Sequence, residues 1–427
     1  MKGNSKVINM FQAPKGTKDW LPDEAERWQT VVDTVRKAFE KYGFRPMETP
    51  AFESFELLAA KGGTGDAVRD EIYNFKDKGG RELGLRFDLT VPMARVLANN
   101  ANLPKPFKRY QIGKVWRYDN PQAGRFREFW QADVDTVGSS SPLSDAECVA
   151  ALCEALEQLG FKEIKVRLNN RKLLQTLFLK AGVKESQMLE AFRSVDKMDK
   201  IGADGVKREL EDKKIGWKGI EEIIKLKGDV LEKIEDKYGA VDGLAELKEF
   251  LKYAKILGID KYLEIDLSLV RGLEYYTGPV FEVMIGDAKL SCGGGGRYDK
   301  LIKILGGPDL PATGISIGLN RVVGLMEEKN MFKASPIKKV FVASVNDFVR
   351  GDAAKICQKL RKDGVIAETD LAERKLSRQM EYAAAIGAAY VIVVGPKELE
   401  KKCVKVRDMK SGKEKDVPLD KIAKEVL

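Results

Sequence analysis

The sequence predicts a mixed α/β (α+β) protein. It should hold a mainly antiparallel sheet with flanking helices, a helical insertion that interrupts the sheet, and a separate α/β domain towards the C-terminal end. Three observations predict this. Two strand-like segments, 107–118 and 126–137, flank the turn-forming run Asn120-Pro121-Gln122-Ala123-Gly124 and read as an antiparallel hairpin. Residues 173–258 lose strand signals and become rich in Lys and Glu at helical spacing. After Pro336, apolar runs and helical segments alternate as β-α-β-α-β, the pattern of a parallel sheet. The length of 427 residues leaves room for these parts. The expected divisions are a sheet domain over 1–172 and 259–330, an insertion over 173–258 and a last domain over 336–427.

The elements follow in order. Residues 14–19 form a turn-rich entry, and Pro22 and Asp23 open a helix. Trp28, Val31, Val35, Phe39 and Tyr42 recur every three or four residues, so one face is apolar, and Gly43 stops the helix. Residues 44–49 are short and extended. Leu83, Leu85 and Phe87 alternate with Gly84 and Arg86 as a half-buried strand; Asp88-Leu89-Thr90 ends it and Pro92 begins a helix. After the hairpin, Ser144 and Glu147 make a capping box for a helix ending at Gly160. Gly258 closes the insertion. The runs Ile265 to Val270 and 280–285 read as buried strands, 314–318 as another, with a helix after Asn320. The last domain offers strands at 340–345, 365–369 and 389–394, and helices at 352–361 and 375–386.

Composition narrows the chemistry. There is no histidine, which removes an imidazole base, a Ser-His-Asp or Cys-His arrangement and any His-containing zinc site. Catalysis must use Arg, Lys, carboxylates, Tyr, backbone dipoles or a bound Mg²⁺, and no protein-bound metal is expected. The five cysteines form no C-x-x-C pair, which fits reduced thiols in a cytoplasmic setting. Residues 1–10 carry no apolar stretch of a secretory signal, and 383–395 is too short to span a bilayer, so no membrane partner is expected. The net charge is +9, and residues 336–427 hold 20 Lys and Arg against 14 Asp and Glu. That surplus suits a polyanionic partner, although a solvated lysine surface explains it too.

The densest chemistry lies in Arg271-Gly272-Leu273-Glu274-Tyr275-Tyr276-Thr277-Gly278, where a fixed cation, a carboxylate and two phenols share eight residues. Ser291 to Asp299, with four consecutive glycines, offers bare backbone to a ligand. The hairpin adds Arg117, Asp119, Arg125 and Arg127; strand alternation puts Arg127, Phe129, Gln131, Asp133 and Asp135 on one face. These two signatures, with the order of segments along nearly the whole chain, resemble the histidyl-tRNA synthetases, a class II synthetase family. Asp88-Leu89-Thr90 looks like the archaeal and eukaryotic form. Glu274 stands where many relatives carry Asp, and Lys300 where Gly is common.

The resemblance implies a class II catalytic domain, a helical insertion, a C-terminal anticodon-binding domain and a homodimer. The partners it implies are L-histidine, ATP with Mg²⁺, and tRNA(His). The reaction would be activation of histidine to histidyl-adenylate and transfer to the tRNA 3′ end. Carried across residue by residue, Asp88, Leu89, Thr90, Arg117, Gln131, Asp135, Arg271, Tyr275 and Tyr276 hold histidine. Arg117, Asp119, Arg125, Phe129 and Arg321 hold ATP, and Arg117 and Arg271 are the catalytic pair at the α-phosphate. Gln122, Arg374 and Arg378 are expected to touch tRNA, with Gln379 as an amide for base edges and Tyr382 as a stacking ring. Two other readings stand beside this one: a catalytically silent histidine-sensing paralogue, and a nucleic-acid-binding scaffold. The first should lose the last domain and some ATP-binding arginines; the second leaves the Arg271 to Tyr276 cluster unexplained.

Overall fold

A computed structural model describes residues 11–60, 70–118, 125–270, 275–286, 291–332 and 338–427. The chain divides into two compact units, residues 1–331 and 332–427.

The first unit is built on an eight-stranded sheet. Its strands are β1 (Arg45–Pro46), β5 (Phe107–Trp116), β6 (Glu128–Val137), β7 (Ile164–Asn170), β8 (Leu263–Ile265), β9 (Pro279–Ile285), β10 (Gly293–Arg297) and β11 (Ala312–Gly318), in the order β1-β5-β6-β11-β10-β9-β7-β8. The pairings are antiparallel except at the two edges, where β1 joins β5 and β8 joins β7 in parallel. A smaller sheet holds β2 (Phe52–Ser54), β3 (Asn74–Lys76) and β4 (Glu82–Leu85) in the order β2-β4-β3. The helices are α1 (Pro22–Lys41), α2 (Phe55–Ala60), α3 (Thr90–Asn99) and α4 (Pro142–Gln158). Then come α5 (Arg171–Lys180), α6 (Met188–Val195), α7 (Met198–Asp212), α8 (Trp217–Ile224), α9 (Val230–Tyr238) and α10 (Leu244–Ile256), between β7 and β8. Finally α11 (Leu301–Ile304) and α12 (Leu319–Glu328) flank β11.

The large sheet has two unlike faces, and strand alternation makes them so. One face carries Tyr110, Ile112, Ala132, Val134, Val166, Leu168, Phe281, Val283, Ile315 and Ile317, and α1, α4 and α10 pack on that side of the sheet. In α1, Pro22 occupies the first turn and Gly43 turns the chain away at φ +75°, a value that a side chain strains to reach. The other face is polar and glycine-rich.

Three expectations need correction. Helix α4 is capped by Ser141, whose side chain accepts from Leu143 N, with Pro142 in the first turn. Ser144 bonds Ser139 instead, and Glu147 pairs with Lys108 at 2.7 Å. The segment before Arg271 is extended only to Ile265; Leu267, Leu269 and Val270 are buried in a turn braced by Ser268 on Asp266. Around β4 the buried positions are Gly84, Arg86 and Asp88, while Leu83, Leu85 and Phe87 are only partly covered. Arg86 is accommodated because its guanidinium donates to Lys114 O at 2.9 Å and Thr49 O at 2.7 Å.

The second unit is a five-stranded sheet: β12 (Lys339–Ser344), β13 (Ile366–Thr369), β14 (Tyr390–Val394), β15 (Cys403–Asp408) and β16 (Glu414–Pro418), in the order β13-β12-β14-β15-β16. The first three are mutually parallel, and β15 and β16 add antiparallel. Its helices are α13 (Arg350–Lys362), α14 (Leu376–Ala385), α15 (Pro396–Glu400) and α16 (Ile422–Val426). Along β12, Val340 and Val342 enter the core shared with α13, while Phe341 and Ala343 enter the one shared with α14. β16 escapes sequence reading because only Val417 of its five residues is buried.

Candidate active site

The polar face of the large sheet is where the sequence's charged positions collect. Cross-strand partners share a face, so the register reads as rows. One row is Gln111, Asp133, Ser316, Gly294, Glu282 and Arg167. The next is Arg109, Asp135, Gly314, Gly296 and Val280, and a third is Gly113, Gln131 and Gly318. The glycines open a floor that side chains from elsewhere fill. Arg86 lies against Gly113, where a Cβ would sit 2.8 Å from its Nη2. The Tyr276 ring covers Gly296, where a Cβ would sit 3.0 Å from the ring. At Gly314 a Cβ would run into Asp135 Oδ1.

Asp88 stands at the start of α3, where Oδ1 accepts from Val91 N at 3.0 Å, and it is 7% exposed. Thr90 begins that helix, and the Leu89 carbonyl accepts from Arg109 Nη2 at 3.2 Å. Arg109 is fully buried and ion-pairs with Asp135 at 2.7 Å. Tyr298 donates its hydroxyl to the other Asp135 oxygen. Asp135 is thus held from two sides inside the floor. Gln131 donates to Ser316 Oγ at 3.0 Å. Its Oε1, like Oδ1 of Asp133, is buried and accepts no hydrogen bond among the described residues.

Burial drives the Asp133 carboxyl well above the usual carboxylate range, to about 7. Arg109 opposes that shift and Asp135 and Asp88 add to it. Burial likewise pushes the Tyr275 phenol up, so it stays protonated; Asp88 and Asp133 reinforce this and Arg117 opposes it. Contacts link these groups: Arg117 bonds the Phe87 carbonyl beside Asp88, and Tyr275 packs on Tyr298, which bonds Asp135 two residues from Asp133 on the same face of β6. The Tyr275 and Tyr276 rings are 4.3 Å apart, and Tyr275 meets Tyr298 edge-on at 6.2 Å.

Arg117 leaves the end of β5 with Nε donating to Phe87 O at 3.0 Å and its guanidinium 5.3 Å from the Phe129 ring centre. Arg125 is exposed beside the hairpin. Arg321 lies in the first turn of α12, whose start is tied to β6 by Asn320 accepting from Trp130 N at 2.8 Å. The Arg321 Nε is buried with no hydrogen-bond partner among the described residues. Asp119, Gln122, Arg271 and Glu274 lie outside the described residues.

Ser291 to Asp299 does less ligand-facing work than its glycines suggest. β10 is paired on both sides, and Cβ atoms at Gly293 and Gly295 would strike the backbone of β11. Arg297 ties β10 to the start of α4 through Ser139 O at 3.0 Å and the Asp145 carboxylate. In the second unit, Arg374 pairs with Asp370 at 2.8 Å and Arg378 with Glu381 at 2.6 Å. Gln379 is 1% exposed; its amide grips Ser344 N and O and Arg374 O, so it has no free edge for a base. Tyr382 is covered by the Arg374 guanidinium at 4.3 Å.

Arg109, Asp133, Tyr298 and Arg86 join the site without having been assigned a contact there. Asp133 carried a signal, since it alternates with Gln131 and Asp135. Arg109 and Arg86 carried only the oddity of a charge inside an apolar strand.

Comparison with known proteins gives the family. A histidyl-tRNA synthetase family model matches residues 16–322, and an anticodon binding domain model matches 339–427. The histidine–tRNA ligase of Pyrobaculum aerophilum is 39% identical over 408 residues, covering 95% of this chain and 96% of that protein. That of Pyrococcus abyssi is 37% identical, covering 98% and 99%. The crystal structure of histidyl-tRNA synthetase from Nostoc sp. superposes with a TM-score of 0.86 at 32% identity, covering 97% of this chain and 98% of that one. The chain belongs to the histidyl-tRNA synthetase family and is a ligase.

Proposed function

We propose that the chain activates L-histidine with ATP to histidyl-adenylate and pyrophosphate, then transfers the histidyl group to the 3′ end of tRNA(His). The observation that carries this reading is the polar, glycine-floored face of the large sheet, where Asp133, Gln131 and the held Asp135 lie in register, with Tyr275 packed on Tyr298 and Arg117 bonded to the Phe87 carbonyl beside Asp88. Asp88 and Thr90 offer a carboxylate and a hydroxyl to the substrate ammonium, with Gln131 Oε1 as a further acceptor. Leu89 shapes the pocket between them. Tyr275 and Tyr276, with Asp135, face the imidazole, whose ring carries one donor and one acceptor when neutral.

Arg117 takes the α-phosphate with its planar fork, a task a lysine would do less well. Arg271 is assigned to the opposite side of the same phosphorus. Arg321, Arg125, Asp119 and Phe129 complete the nucleotide site, with the Phe129 ring already beneath Arg117. Catalysis then rests on positioning and on charge placed where the pentacoordinate phosphorus develops it. Mg²⁺ enters with the nucleotide as part of that substrate. Gln122, Arg374 and Arg378 are the assigned tRNA contacts. On the same reading the enzyme is a cytoplasmic homodimer, which sedimentation would test. The direct assay of the chemistry is pyrophosphate exchange with each amino acid in turn: exchange with histidine alone is expected, and none with histidine would overturn the reading.

A further inference from the structure

We infer that Thr277 is a positioning residue for histidine binding: its hydroxyl holds the Tyr275–Tyr276 pair in register with the segment that carries Tyr298. This deepens the proposed activation of histidine and rests on it. Thr277 itself touches no substrate on that reading.

The tyrosine pair is placed by the chain that follows it. β9 begins at Pro279 and pairs with β10, Val280 opposite Gly296. Carried back three residues, that register sets Thr277 opposite Asp299. Thr277 N donates to Arg297 O at 2.7 Å, and Asp299 N donates to Thr277 Oγ1 at 3.1 Å. One residue therefore bonds the neighbouring chain on both sides of Tyr298, and one of the two bonds is made by its side chain.

The frame that receives Thr277 is braced from elsewhere. Tyr298 N donates to Ala312 O at 2.7 Å, and Ala312 N donates to Asp299 Oδ1 at 3.1 Å, so residues 298 and 299 are tied to β11. Arg297 is anchored by its guanidinium to Ser139 O and to the Asp145 carboxylate. On the other side of Thr277, Gly278 O accepts from Arg171 N at 2.8 Å, at the exit of β7. A hydroxyl that docks onto such a frame transmits its position to the residues beside it.

Those residues are the two phenols. Tyr276 precedes Thr277 directly, and its ring covers Gly296, 3.0 Å from where a Cβ would stand. Tyr275 has its ring centre 4.3 Å from that of Tyr276, hydrogen-bonds it, and meets Tyr298 edge-on. Tyr298 bonds the held Asp135. Ring packing sets the spacing of the three phenols, while a hydrogen bond also sets direction. The direction matters here, because an imidazole offers one donor and one acceptor and is read by hydroxyls aimed at both. Valine has the shape of threonine without the acceptor and leaves Asp299 N without that partner; serine keeps the acceptor.

The test uses the full-length chain and its variants T277V and T277S. Histidine-dependent pyrophosphate exchange is measured with histidine varied at saturating ATP and with ATP varied at saturating histidine, beside thermal melts. T277V is expected to raise KM for histidine about 3- to 10-fold, what one net hydrogen bond is worth, with KM for ATP, kcat and the melting temperature close to the parent's. T277S should keep KM for histidine near the parent value. A parent-like KM for histidine in T277V overturns the proposal, even with a lowered melting temperature, because the hydroxyl is then structural only. An equal rise in both KM values, or T277S as impaired as T277V, overturns it too. Should T277V not fold, T277A against T277S decides: a raised KM for histidine in T277A alone supports the role, and equal values overturn it. A parent chain without histidine-driven exchange removes the underlying reading and the positioning role together. Exchange by the parent with a parent-like T277V removes the positioning role alone.

Discussion

At the scale of single residues, Asp133 and Arg117 make the sharpest claims. Asp133 is a buried acid whose folded-state affinity for its proton exceeds that of the unfolded chain. The folded protein therefore binds more protons between about pH 4 and the raised value, and stability falls as pH rises through that window. Asp133→Asn removes the titration. Relative to the parent it should melt higher above pH 7 and lose that advantage towards pH 4, as thermal melts across pH would show; parallel melting curves at all pH values would contradict the assignment. For Arg117, lysine keeps the charge but loses the fork. Arg117→Lys should lower histidine-dependent exchange about 10²–10³-fold with the melting temperature unchanged. How much of the site was legible follows the same division. Arg117, Gln131 and Tyr275 announce themselves as a charge, an amide and a phenol in or beside strands. Arg109 is silent because it does nothing for a ligand directly: it is buried whole and holds Asp135 and the Leu89 carbonyl. A partner 26 residues along the strand pair cannot be read before the register is known.

At the scale of elements, the close-packed polar face depends on absent side chains. Gly314→Ala would push a methyl group into Asp135 Oδ1 and the Val134 carbonyl, so the Arg109–Asp135–Tyr298 arrangement must shift. KM for histidine should rise while exchange at saturating histidine changes less; an unchanged KM would mean Asp135 is not held by this packing. The cap of α4 offers a stability test. Ser141→Ala should cost about 1 kcal/mol in denaturant unfolding, and Glu147→Gln should cost little, since Glu147 caps nothing. The helix itself was legible from its polar start signal and its stop at Gly160. Its start was not, because two capping serines three residues apart compete, and Pro142 decides for Ser141 only once the chain is seen to enter extended. The antiparallel pair β15 and β16 hid for a related reason: an edge strand with one buried side chain leaves no periodicity to read.

At the scale of the whole molecule, the chemistry and the expected tRNA grip lie in units with separate cores. Removing residues 332–427 should leave histidine-dependent exchange at the parent rate and sharply impair charging of whole tRNA; charging at full efficiency would contradict the division of labour. The broad fold was legible because its parts differ in period: alternating strands, a Lys- and Glu-rich helical stretch and a β-α repeat. The order of strands in the large sheet was not, since β10 and β11 slot between β6 and β9 through contacts far apart in sequence. The central claim is that one pocket, lined by Asp88, Asp133, Tyr275 and Arg117, activates histidine on ATP. It is tested most directly by pyrophosphate exchange with the purified chain, offered each amino acid separately. Exchange with histidine and no other amino acid is the expected result; histidine binding without exchange, or exchange driven equally by another amino acid, would contradict it.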